Sequence, residues 1–123
     1  MNDLPQWVKD FNAKNLALEY LKKGWKTLLP IEQYTESLTD NSVYESSPLQ
    51  PDKPFFPYDF SKLAEQKKYD AISYTPYGNS ITKDLAIECL KKERLGKDEF
   101  TDMLCVSFSS TDIIAHAYGI RAI

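Results

Sequence analysis

The sequence holds one histidine, two cysteines and four glycines in 123 residues, and no apolar run approaches the ~18 residues of a membrane span. Each scarcity excludes something. Any chemistry that needs an imidazole rests on His116 alone. Cys89 and Cys105 lack the Cys-x-x-Cys spacing of a metal ribbon or redox motif. Both fall in apolar stretches, where free cysteine packs as a small hydrophobe, so both read as buried inert thiols rather than a disulfide. Gly78 has no companion glycines from which a phosphate cradle could be built, and it reads as a turn glycine. Basic residues give no excess either. A net charge of -3 argues against a nucleic-acid partner, which ordinarily meets a basic face. The pairs Lys22-Lys23, Lys67-Lys68 and Lys91-Lys92 read as solvated ends of helices, where cations meet the negative end of the dipole. No basic-then-apolar N-terminus is present, so no signal peptide is expected in this chain, and no membrane partner.

What the chain does hold is enough apolar material for a core: 42% hydrophobic and 13% aromatic residues, at the size of one domain. Asn2 and Pro5 signal a helix start, and Trp7, Val8 and Phe11 recur at helical spacing. A second helix is predicted over about 13–23, stopped by Gly24, with a brief apolar stretch at Trp25–Leu29 that is too short to assign firmly as a strand. Residues 34–57 read as a long Pro-rich loop pinned by Phe55, Phe56, Tyr58 and Phe60. Its Glu36, Asp40 and Glu45 lack regular ligand spacing and read as a solvated acidic surface. A weak helix is expected over 61–68. The clearest helix carries Ile81, Leu85, Cys89 and Leu90 on one face; Asn79 or Ser80 caps it, Asp84 lies in or near its first turns and Gly96 closes it. Met103–Phe108 is apolar at five of six positions, which suits a parallel strand covered on both faces. Helix then buried strand is half of a βαβ unit, so the predicted fold class is α/β.

Beyond that strand stand Asp112 and, four residues on, His116. Ligands of open α/β sheets gather at the carboxyl ends of strands. With Ile113 opening a helix, Asp112 falls at or near its N-cap and His116 one turn further on the same side. A carboxylate oxygen and an imidazole nitrogen both bind zinc at about 2.0–2.2 Å. The plainer alternative is an aspartate cap beside a packed histidine, which needs no metal.

The segment DMLCVSFSSTDIIAHAYG resembles the strand-and-ligand segment of the alkaline phosphatase superfamily, and most of all its phosphate-irrepressible alkaline phosphatases, grouped with type I phosphodiesterases and nucleotide pyrophosphatases. Ser109, Ser110, Asp112, His116 and Gly119 stand in the places of the family pattern. LPQWVKDFN, YTES (Tyr34–Ser37), FPYDF (Phe56–Phe60) and TPYGNSITKD are similar to stretches of those enzymes in the same order, so the resemblance covers nearly the whole chain.

The resemblance implies a hydrolase of phosphate monoesters with two zinc ions and a phosphoryl-enzyme intermediate, periplasmic or secreted, in which Asp112 and His116 are metal ligands. Its nucleophile and remaining ligands have no counterpart here, so no catalytic residue is assigned within this chain. The chain accordingly reads as an internal fragment of a larger hydrolase: a partial sheet with helices packed on it, residues 1–60 forming a cap and loop region and 61–123 the helix-strand segment with the ligand pair. Such a fragment would be inactive alone and could dimerise through exposed strand edges. A phosphodiesterase or nucleotide pyrophosphatase, and a non-catalytic structural module, are the competing readings.

Overall fold

The computed structural model describes residues 3–40, 42–43, 45–121 and 123. Five α-helices follow in chain order: α1 (Gln6–Ala13), α2 (Leu16–Lys23), α3 (Ser61–Glu65), α4 (Pro76–Lys92) and α5 (Ser110–Tyr118). Short 3₁₀ turns occupy Ile31–Gln33 and Tyr69–Tyr74. Asn15, left-handed at φ 50°, separates α1 from α2, so α2 starts three residues later than its apolar spacing suggested. Asn2 lies outside the described residues; Pro5 sits just before α1. α3 stops at Glu65, and Lys67 turns left-handed at φ 53°, so Lys67-Lys68 falls beyond the helix. The other two lysine pairs do occupy last turns, in α2 and α4.

The core forms where aromatic side chains of the loop meet three helices. Leu21, Tyr58, Phe60, Ala64, Ala71 and Tyr118 are buried together, with Trp25, Phe56, Ile72 and Ile114 packed against them. Trp25 meets Phe56, Tyr58 and Tyr118 at ring-centroid distances of 5.1, 5.7 and 5.5 Å. The Phe56 and Tyr118 pairs are edge-on, at 89° and 84°, and pairs of that kind contribute about 0.5–1.5 kcal/mol beyond their area. The long loop is thus pinned as expected by Phe56, Tyr58 and Phe60. Trp25 and Tyr58 exchange backbone hydrogen bonds of 2.9 Å in an isolated antiparallel bridge, which is all that the Trp25–Leu29 stretch contributes in extended pairing. Gly24 makes the bridge possible: its φ is +65°, and a Cβ there would stand 2.4 Å from the Tyr58 carbonyl oxygen.

The α/β expectation is corrected. Among the described residues there is no strand and no sheet; the isolated bridge is the extended pairing found. Met103–Phe108 is an exposed, irregular segment, with Met103 85% and Phe108 52% accessible. A continuous apolar run signals a strand only when neighbours cover both faces and complete its ladder. Here Leu104, Cys105 and Val106 lean toward α4 on one side, around a 280 Å³ groove, and the other side has no described cover. Cys105 is therefore exposed rather than buried, and Cys89 is half-buried; both thiols are free. The predicted apolar face of α4 is likewise only partly covered, with Leu85 and Leu90 exposed and no residue of the helix fully buried.

Candidate metal-ligand site

α4 begins at Pro76, not at Asn79 or Ser80, with extended Thr75 as its N-cap. Proline suits a first helical position because the missing N–H is unpaired there in any case. The earlier start puts Gly78 inside the first turn rather than in a preceding turn, and moves Asp84 out of the first turns, where it pairs with Lys83. It also frees Asn79 for a different task. Its side-chain oxygen accepts the Ser110 N–H at 3.0 Å, and its amide donates to the Thr111 hydroxyl at 3.0 Å. The opening N–H groups of a helix have no partner within it, so Asn79 supplies from α4 what a local cap would supply to α5. Gly78 completes the seat. A Cβ there would stand 2.1 Å from Ser110 Oγ and 3.0 Å from the Ile72 carbonyl oxygen. Neither role was legible in the sequence, because both are contacts across more than thirty positions.

α5 starts at Ser110, so Asp112 lies in its first turn rather than at the cap, which is Ser109. Negative charge is favourable at that end, and His116 falls in the last turn, where positive charge is favourable. Successive residues step ~100° around the axis, which sets Asp112 and His116 ~40° apart and Ile114 ~200° from each. The helix divides accordingly. Ile114 and Tyr118 pack against the core, while the Asp112 and His116 side chains remain 78% and 81% exposed on the opposite face.

His116 Nε2 stands 3.5 Å from Asp112 Oδ1. That is longer than a hydrogen bond, whose N–H···O span is about 2.7–3.2 Å. It is close to the ~3.3 Å edge expected between two donors held at about 2.0–2.1 Å on a tetrahedral zinc. An oxygen and an imidazole nitrogen so placed fit zinc as two members of a ligand set. Among the described residues no group of three His, Cys, Asp or Glu side chains completes one. Three of the hydroxyl groups nearby are already engaged: Ser107 Oγ and Ser109 Oγ bond at 2.8 Å, and Thr111 accepts from Asn79.

A second cavity lies behind α5. It measures about 220 Å³ and is lined by Trp25, Asp40, Glu45, Phe56, Tyr58 and Tyr118, among others. Asp40 and Glu45 are half-buried there, which departs from the solvated loop expected of them. Desolvation, then Tyr118, Asp40 and Glu45 in turn, raise the Tyr58 phenol strongly. Burial likewise pushes the Tyr118 phenol up to about 12. Ser47 lies near enough to pull slightly the other way, yet the Tyr118 hydroxyl has no partner in hydrogen-bonding geometry among the described residues.

No protein-family model matches the chain. Curated proteins do. Over 122 residues it is 43% identical to alkaline phosphatase PafA of Elizabethkingia meningoseptica, a span of 98% of this chain and 22% of that protein. Over 123 residues it is 42% identical to alkaline phosphatase PhoV of Synechococcus elongatus, covering 100% of this chain and 22% of the relative. A Myroides odoratus protein named calcium-transporting ATPase is 43% identical over 125 residues, covering 100% of this chain and 23% of its own length. Among solved structures, the crystal structure of wild-type alkaline phosphatase PafA superposes on 99% of this chain and 24% of its own, at TM-score 0.87 and 39% identity. The chain thus shares sequence and fold with one segment of alkaline phosphatases, and spans under a quarter of the length of the relatives it matches.

Proposed function

We propose that the protein carrying this chain is a zinc-dependent hydrolase of phosphate monoesters, of the phosphate-irrepressible alkaline phosphatase type, acting in the periplasm or outside the cell. The observation that carries this reading is the unbroken similarity to alkaline phosphatases along a chain that sets Asp112 and His116 on one exposed helix face. In it, Asp112 offers a carboxylate oxygen and His116 its Nε2 to one of two zinc ions, the remaining ligands and the nucleophile coming from other parts of the protein. Bound zinc would supply Lewis acidity toward a phosphoryl oxygen and acidify a water. The part of this chain is orientation. α5 holds both donors on one side, Asn79 and Gly78 hold the start of α5, and the Ile114 and Tyr118 face anchors it to the core.

The test is turnover of an aryl phosphate by the full-length protein, before and after chelation and after zinc is restored. Loss with the chelator and recovery with zinc are expected; chelator-insensitive turnover overturns the metal assignment. A bis-aryl phosphate in parallel distinguishes the phosphodiesterase and nucleotide pyrophosphatase reading by its higher kcat/KM. ATP as a third substrate addresses the name of the Myroides relative.

A further inference from the structure

The groove between α4 and the Met103–Phe108 segment brings together both thiols of the chain. It measures about 280 Å³ and is lined by Trp7, Leu85, Cys89, Leu104, Cys105 and Val106, among others. Both thiols are free, Cys105 exposed and Cys89 half-buried, and the metal-ligand pair uses neither. They stand sixteen positions apart on unlike supports. Cys89 lies in the last turn of α4, a rigid mount. Cys105 lies in an irregular segment that makes no ladder among the described residues. A segment with little cover and few backbone hydrogen bonds shifts at low cost. One thiol is therefore fixed and shielded, the other adjustable and open to solvent.

From this placement we propose that Cys89 and Cys105 are a redox pair, closing to a disulfide that ties the Met103–Phe108 segment to α4. A disulfide asks for Cα atoms about 4.4–6.8 Å apart, and Cys105 is the member that adjusts to meet this. The step runs by exchange with a low-molecular-weight disulfide. The exposed Cys105 thiolate attacks it, a mixed disulfide forms on Cys105 and one thiol leaves. The Cys89 thiolate then attacks the Cys105 sulfur, the protein bond closes and a second thiol leaves. Two protein thiols are oxidised, one external disulfide is reduced to two thiols, and the protons balance. A metal ion suits the groove less well, since no group of three His, Cys, Asp or Glu among the described residues could complete its shell. The apolar lining also favours the bond, because each S–H brings a donor and the disulfide brings none. The consequence is local. Ser109 and Ser110 follow the segment and open α5, so closure adds a second tie between α4 and the start of α5, beside Asn79. The pairing does not depend on zinc; its occurrence in the cell rests on the location outside the cytosol proposed above, where disulfides persist.

Peptide mapping of the full-length protein tests this, after equilibration with oxidised glutathione or with dithiothreitol and alkylation of the remaining thiols. Trypsin places Cys89 in the peptide 84–91 and Cys105 in the peptide 98–121. A crosslinked pair of these two peptides is expected after oxidised glutathione and is expected to vanish after dithiothreitol. Single variants read the order of attack. Cys89→Ser is expected to trap glutathione on Cys105, since the resolving thiol is gone. Cys105→Ser is expected to carry at least about tenfold less adduct on Cys89, because access governs which thiol reacts first. Absence of the linked pair overturns the proposal, as does a glutathione adduct that persists on Cys105 in the unaltered protein or equal trapping on Cys89 in Cys105→Ser. The linked pair is read on the unaltered protein, so it decides even where a variant misfolds. It is read without any assay of turnover, so its failure and that of the phosphatase reading are told apart.

Discussion

At the scale of single residues, exposure separates the two roles a side chain can have. The Asp112 and His116 side chains are 78% and 81% accessible and touch at 3.5 Å, so they contribute little to the fold. Surface changes of this kind ordinarily move stability by less than about 0.5 kcal/mol. Alanine at either position in the full-length protein is therefore expected to leave the melting temperature nearly unchanged. Phosphatase kcat should fall by more than the ~10–100-fold typical of residues that merely support a metal ligand. Near-normal kcat in either variant would remove it from the ligand set. Tyr118 is the opposite case, buried and titratable. Its folded-state value of about 12 lies above the ordinary ~10 of a phenol, so the folded protein holds that proton more tightly. The linked stability is complete below pH ~10 and is lost as pH rises through about 12. Tyr118→Phe should shallow the alkaline loss of stability while leaving part of it to Tyr58, whose phenol is also raised. At neutral pH the same variant is expected to be as stable as the parent or slightly more so, because it deletes an unpartnered buried hydroxyl. Denaturant melts of both proteins between pH 7 and 11 measure the difference; superimposable curves would show that Tyr118 does not titrate as described.

Between elements, the contact that positions the site is the one between α4 and α5, and it rests on a missing side chain. Alanine in place of a helical glycine ordinarily stabilises by about 1 kcal/mol. At Gly78 the sign should reverse, because the new Cβ would meet Ser110 Oγ at 2.1 Å and the Ile72 carbonyl at 3.0 Å. A loss of about 1–3 kcal/mol is expected, the usual cost of overpacking. Adding Ser110→Ala should restore part of it, since the nearest clash is with that hydroxyl. A Gly78→Ala variant more stable than the parent would mean that α5 is not seated there. Gly78 also marks the limit of what sequence patterns convey. Local periodicity located all five helices to within a few residues and placed Asp112 and His116 on one helix face, because helical spacing is a local property. It could not tell a turn glycine from a contact glycine, nor see Asn79 reaching α5, since both depend on distant partners. It also took Met103–Phe108 for a buried strand. Apolar content reports what a segment prefers to bury, while a strand exists only where a neighbour completes its hydrogen bonds.

For the molecule as a whole, the site and the surface lead to one further expectation about the 123-residue chain when it is studied alone. A catalytic zinc takes three protein ligands and keeps a position for water or substrate. On the proposed reading Asp112 and His116 supply two, and among the described residues no third carboxylate, imidazole or thiol joins them. Two donors on an exposed helix face have only a water-filled surround, which weakens every charge interaction relative to an enclosed site. Of the hydroxyl groups beside the pair, Ser109 is bonded to Ser107, Thr111 is engaged by Asn79, and Ser110 is buried at 6% exposure. The chain alone is accordingly expected to bind zinc with a dissociation constant weaker than about 1 μM and to show no aryl phosphate turnover; on a free-energy scale that is less than about 8 kcal/mol of binding. Its other exposed feature is apolar. Met103, Leu104, Val106 and Phe108 are all accessible, beside the exposed Leu85 of α4. A patch of that kind ordinarily marks an interaction surface or an association liability. Self-association through this segment is therefore expected, concentration-dependent in sedimentation and reduced by Met103→Lys together with Phe108→Lys. Both charges point into solvent and leave the aromatic core untouched. Zinc binding tighter than 1 μM accompanied by turnover would show that the chain completes its own site, and a monomer at all concentrations would show that the segment does not seek a partner.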